Sequence, residues 1–132
     1  MPTVQMIGGV PVVAAPDEID ITNAAGLQAA LAEASELGHG TFIVDMSATQ
    51  FCDSAGMHAL VQAHKRSQSE GGEMLLVVSA AAVLRVFAMT GIDDLITNVR
   101  TLEQALAHPS AARSAHASAA LAVPEPNSPS PS

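Results

Sequence analysis

Two short, largely apolar runs, TFIVDM (41–46) and EMLLVVS (73–79), constrain the fold of this 132-residue chain more than any other feature. Neither alternates with polar residues, so neither suits a sheet with one face in water; each reads as a central strand covered on both faces. Each is followed by residues at helical spacing: Met57, Leu60, Val61 and His64 after the first, and Val83, Val86 and Phe87 after the second. Buried strands alternating with helices imply a mixed, largely parallel sheet carrying helices, with connections short enough for right-handed crossovers.

Glycine and proline mark out the rest. Val4 to Ile7 and Val10 to Ala15 flank Gly8-Gly9. That dipeptide accepts the positive φ angles of a tight hairpin, so the first two strands are antiparallel. Pro11 marks an edge or an irregularity in the second. The segment TNAAGLQAALAEASELG places Leu27, Ala30, Leu31 and Ala34 on one helical face, with Thr22 or Asn23 as the cap and Gly38 as the stop. Leu95 to Val99 allows a last short strand, and Thr101 with Gln104 has capping-box spacing for a final helix. The predicted class is α/β, in the order ββαβαβα(β)α, as one domain over residues 1–107. Residues 108–132, a Pro, Ser and Ala mixture with few large apolar side chains, read as a disordered tail.

The single cysteine, Cys52, excludes an internal disulfide, and nothing near it has metal-ligand spacing. With no basic residues ahead of the first apolar stretch and no run long enough to cross a bilayer, the expected location is the cytoplasm. The formal net charge is -8, and it is unevenly spread. From Met1 to His64 there is no Lys or Arg, while Asp17, Glu18, Asp20, Glu33, Glu36, Asp45 and Asp53 all fall there. Phosphate-bearing partners, whether nucleic acid or anionic lipid, suit this half poorly; a basic protein surface suits it better.

The stretch FCDSAGMHAL (51–60) sets an acid, a hydroxyl and a glycine where a helix starts, just past the carboxyl end of a central strand. Open α/β sheets present their sites at such ends. Three readings of Ser54 stand. Asp53 or Ser54 caps the helix. Alternatively Ser54 is a nucleophile, which would make the chain a small serine hydrolase. The elbow of that chemistry needs glycine two residues before as well as after, where Gly56 fits and Cys52 does not, and a histidine base converging from elsewhere. Thirdly, Ser54 is a phosphorylation switch, exposed in the first helical turn, where free amides and the helix dipole tolerate a phosphate. Asp45 ends a central strand as a phosphoacceptor aspartate would, but EMLLVVSAA supplies no facing lysine, so it reads as a strand-end acid bonding the loop amides around Ser47 to Thr49.

DMSATQFCDSAGMHAL resembles the signature of STAS domains, in particular bacterial anti-sigma factor antagonists: Asp45, Ser47, Phe51, Asp53, Ser54, Gly56 and Leu60 match its pattern. The likeness extends back to DEIDITNAAGLQAAL and forward through RVFAMTGIDDLI to TLEQAL, covering nearly everything from Val10 to Ala107. One departure is Asp17, which stands where the family usually has glycine.

The resemblance implies a STAS-like fold and a binding module rather than an enzyme, needing no cofactor or metal of its own. It implies that Ser54 is the phosphoacceptor of an anti-sigma factor serine kinase, which brings the ATP and magnesium. The unphosphorylated chain would bind that kinase and free the sigma factor, phosphorylation would end the binding, and a phosphatase would reset it. The implied partner-binding residues are Glu18, Asp20, Thr49, Asp53, Ser54, Ala55 and Gly56. A STAS scaffold or transporter-associated subunit without a sigma-factor role is the alternative within the same fold.

Overall fold

The computed structural model describes residues 2–122, with side chains through residue 115. In chain order the elements are β1 (Thr3–Ile7), β2 (Val10–Ala14), β3 (Glu18–Ile19), α1 (Ala24–Leu37), β4 (Phe42–Met46), β5 (Phe51–Cys52), α2 (Ser54–Ser69), β6 (Met74–Val78), α3 (Ala81–Thr90), α4 (Ile92–Leu95), β7 (Asn98–Val99), α5 (Leu102–Ala107) and α6 (Pro109–Ala122). The mixed α/β class read from the sequence holds. The main sheet has the order β1-β2-β4-β6-β7. Its first pair is antiparallel and the following pairs are parallel.

The hairpin forms because Gly8 and Gly9 take φ of 59° and 83°, a left-handed pair that only glycine adopts without strain. Strands β4 and β6 are buried along almost their whole length, since both faces of the sheet are covered. One face, with Phe42, Val44, Met74, Leu76 and Val78, packs on Leu27 and Leu31 of α1, Leu60 of α2 and Phe87 of α3. The other, with Val10, Val12, Ile43, Leu75 and Val77, packs on Ala105 of α5 and Ala111 of α6. The period-two alternation of facing along these strands is the pleat itself.

Three expectations need correction. Helix α1 has Asn23 at its N-cap, but the Asn23 side chain makes no cap bond; its amide donates to the Glu18 carbonyl (2.7 Å) and its oxygen accepts from the Asp20 N–H. The segment 95–99 contributes only a two-residue strand, Asn98–Val99, because α4 takes up Ile92–Leu95 first. Most substantially, the stretch expected as a disordered tail from residue 108 instead begins α6 at Pro109. Proline is pre-shaped for a first helical position. Ala111 is fully buried, Ala115 packs on the second face, and the Ser110 hydroxyl donates to the Glu73 carboxylate. The expectation for residues 123–132 lies outside the described residues.

The Thr101 capping box forms as read, with the Gln104 N–H donating to Thr101 Oγ1 and Gln104 Oε1 accepting from the Thr101 N–H. His64 is buried on α2, and among the described residues its Nδ1 has no hydrogen-bond partner. Among the described residues no helix is long and apolar enough to cross a membrane.

Candidate functional site

The site is built on a second, two-stranded sheet in which β3 and β5 run parallel, with Glu18 opposite Phe51 and Ile19 opposite Cys52. Two further backbone bonds extend the pairing: Gln50 N–H to the Asp17 carbonyl (2.8 Å) and Asp53 N–H to the Ile19 carbonyl (3.0 Å). Adjacent strand residues face opposite ways, so Ile19 and Cys52 are buried while Glu18 and Phe51 point to solvent. Asp17 has no positive φ, so the aspartate standing in the family's glycine position fits the loop without strain.

Asp53 is the N-cap of α2, its carboxylate accepting the Gly56 N–H at 3.1 Å. This settles the capping question in favour of Asp53 and leaves Ser54 free as the first helical residue. Ser54 is exposed, and among the described residues its hydroxyl makes no hydrogen bond, to a histidine or to any other group. Asp20 receives the Thr22 hydroxyl and N–H, and these bonds hold its carboxyl below the usual range, so it stays charged. The elements forming this surface, from β3 through the first turn of α1 and from β5 through the first turn of α2, contain no Lys or Arg.

The structure brings Glu18, Asp20, Asp53 and Ser54 together, with Ala55 half-buried beside them. Two of the expected partner-binding residues do not reach the surface. Thr49 is completely buried; its hydroxyl donates to the Pro16 carbonyl at 2.7 Å and ties the loop after β4 to the end of β2. Asp45 makes the bond expected of it, accepting the Ser47 N–H at 3.0 Å.

Gly56 faces inward as well. A Cβ there would stand 2.5 Å from Ile19 Cγ2 and 2.8 Å from Cys52 Sγ, so glycine serves the close seating of α2 on the small sheet. Burial, reinforced by the charge of Asp53, pushes the Cys52 thiol up to about 12, and that cysteine is an inert packing residue.

Two members of this surface were not singled out as contact residues from sequence. Ile21 is 79% exposed and Phe51 is 51% exposed. The available signal lay in Phe51-Cys52 and Ile19-Asp20-Ile21: neighbours in an extended segment cannot both face the core.

Comparison with known proteins agrees with this geometry. The family model for the STAS domain matches residues 1–105. Among solved structures, an anti-sigma factor antagonist from Mycobacterium paratuberculosis is 28% identical, with a TM-score of 0.72 over 80% of this chain and 90% of that one. An anti-sigma-factor antagonist (STAS) domain protein from Planctomyces limnophilus is 19% identical, with a TM-score of 0.68 over 80% of this chain and 93% of that one. The phosphorylated form of the Bacillus cell fate determinant SpoIIAA is 19% identical, with a TM-score of 0.61 over 80% and 96%. The last two speak for the fold alone. A search of curated proteins returned no match. With the family model spanning most of the chain and the same architecture in each neighbour, this chain belongs to the STAS domain family.

Proposed function

We propose that the chain is an anti-sigma factor antagonist of the cytoplasm whose binding is switched by phosphorylation of Ser54. The observation that carries the reading is an exposed, unbonded hydroxyl at the start of α2, on a surface with Glu18, Asp20 and Asp53 and built from segments without a single Lys or Arg. In its unphosphorylated form the chain binds an anti-sigma serine kinase and so releases the sigma factor. The kinase, which holds ATP and magnesium, then transfers a phosphoryl group to the Ser54 oxygen, the complex parts, and a phosphatase restores the hydroxyl. In this scheme the chain is an acceptor, not a catalyst. Asp53 accepts the Gly56 N–H and so fixes the turn that presents Ser54.

The modification adds about -1.5 to -2 charges at one point. The test is incubation of the purified chain with a candidate kinase of the histidine-kinase-like ATPase type and ATP, followed by intact-mass measurement. One added phosphate, lost in Ser54→Ala, is the expected result. A phosphate retained in Ser54→Ala, or ester hydrolysis that Ser54→Ala abolishes, would overturn the reading.

A further inference from the structure

The charge around Ser54 raises a physical difficulty for any switch that works by charge alone. A surface carrying Glu18, Asp20 and Asp53 attracts a basic partner, and one more anion on that surface would strengthen the long-range attraction rather than end it. Release on phosphorylation therefore needs a short-range cost. The same surface offers one. Phe51 lies opposite Glu18 on the outward side of the small sheet, three residues before Ser54. Ile21 sits in the turn that follows β3, and the bond from the Asp53 N–H to the Ile19 carbonyl brings that turn alongside the start of α2. Large apolar side chains this exposed, interleaved with acids, have the make-up of an interface centre with a polar rim.

We propose that Ile21 and Phe51 form an apolar contact patch which the partner dehydrates on binding, and that a phosphate on Ser54 ends binding because it stands within that dried patch. This rests on the function proposed above and names the regulation of the same site. The partner surface that fits is a protein face with an apolar hollow bordered by basic groups. The basic border steers association with the acids, and the hollow supplies most of the affinity. A dianion carried into the contact loses its hydration, and unless a basic group meets it directly, that loss is not returned. Steering and switching thus separate: acids act at a distance and are screened by salt, whereas desolvation acts at contact and is not.

The experiment uses the full chain and the serine kinase that phosphorylates it, with affinity and dissociation rate measured for the unphosphorylated and phosphorylated forms. Measurements are made at about 0.1 M and about 1 M salt, where the screening length falls from about 10 Å to about 3 Å. Both affinities are expected to fall with salt, while their ratio changes by less than about threefold. Ile21→Ala, at a site too exposed to matter for folding, is expected to weaken binding of the unphosphorylated chain by about tenfold or more, through faster dissociation. Phe51→Ala should behave alike, and Phe51→Leu should recover part of the loss.

A ratio that collapses at high salt, or an Ile21→Ala variant that binds as the parent does, would overturn this inference and leave the proposed function standing. Failure of the parent chain to bind the kinase at all would overturn both.

Discussion

Gly26 and Gly56 occupy the same position, the third residue, of α1 and α2, and the structure gives them opposite consequences on replacement by alanine. At Gly26 an added Cβ meets nothing within 4 Å. Alanine there gains about 0.5 to 1 kcal/mol from the smaller backbone entropy lost on folding. At Gly56 the same atom would lie 2.5 Å from Ile19 Cγ2 and 2.8 Å from Cys52 Sγ. Ordinary carbon contacts are about 3.5 to 4.0 Å, so α2 or β3 must move by about 1 Å.

Ile19 is fully buried and Cys52 nearly so, which leaves neither side chain a free rotamer to swing into. Overpacking of this kind costs about 1 to 3 kcal/mol, from which the helix preference for alanine returns about 1 at most. The net expectation for Gly56→Ala is a loss of up to about 2 kcal/mol, against a gain at Gly26→Ala. Urea unfolding of the two variants and the parent measures this directly, with unchanged slopes showing that the shift in midpoint reports stability. A Gly56→Ala midpoint at or above that of the parent would refute the close seating of α2 on β3. It would also remove the reason given for glycine in the signature.

Two other substitutions probe the supports of the site and of α6. Thr49→Val keeps the shape of the buried side chain but leaves the Pro16 carbonyl without its donor, and is expected to cost about 1 to 3 kcal/mol in urea unfolding, while Thr49→Ser costs less. Burial pushes the Glu73 carboxyl up, but hydrogen bonds from Ser110 and Thr97, with the charges of His108 and Arg113, outweigh it and hold the group below its ordinary 4.5. A carboxyl depressed in the folded state adds stability that is present above its unfolded value and lost as pH falls through the folded one. Melting temperature should therefore fall less steeply below about pH 4.5 in Glu73→Gln than in the parent, and parallel curves would refute the contribution.

The two central strands were legible because FIVDM and MLLVV are covered on both faces and, Asp45 apart, contain no polar residue, and β2 was legible from the Gly8-Gly9 turn before it. Helices α1 and α2 were legible from period, and Ser54 from its place after a strand. Strands β3 and β5 were not, since two residues carry no periodicity and their pairing comes from loops closing in space. Helix α6 was hidden by its composition. Alanine and serine bury too little area to stand out from a solvated segment, yet Ala111 and Ala115, one helical turn apart, are what the second face of the sheet has room for. Gly9 keeps that room: a Cβ there would reach within 3.3 Å of the Ala115 backbone. Thr49 misled because a threonine in a short loop gives no sign of whether its hydroxyl meets water or a carbonyl.

The residues proposed above to meet a partner ride on a two-stranded ribbon that is hydrogen-bonded apart from the five-stranded sheet. Its inward residues, Ile19 and Cys52, are fixed by packing, while Glu18 and Phe51 point away from everything that determines the register of the larger sheet. Such a mounting uncouples whom the molecule recognises from whether it folds. Descendants of a duplicated gene could trade outward side chains on the ribbon and acquire separate clients, each keeping the same scaffold and the same exposed serine at the start of α2.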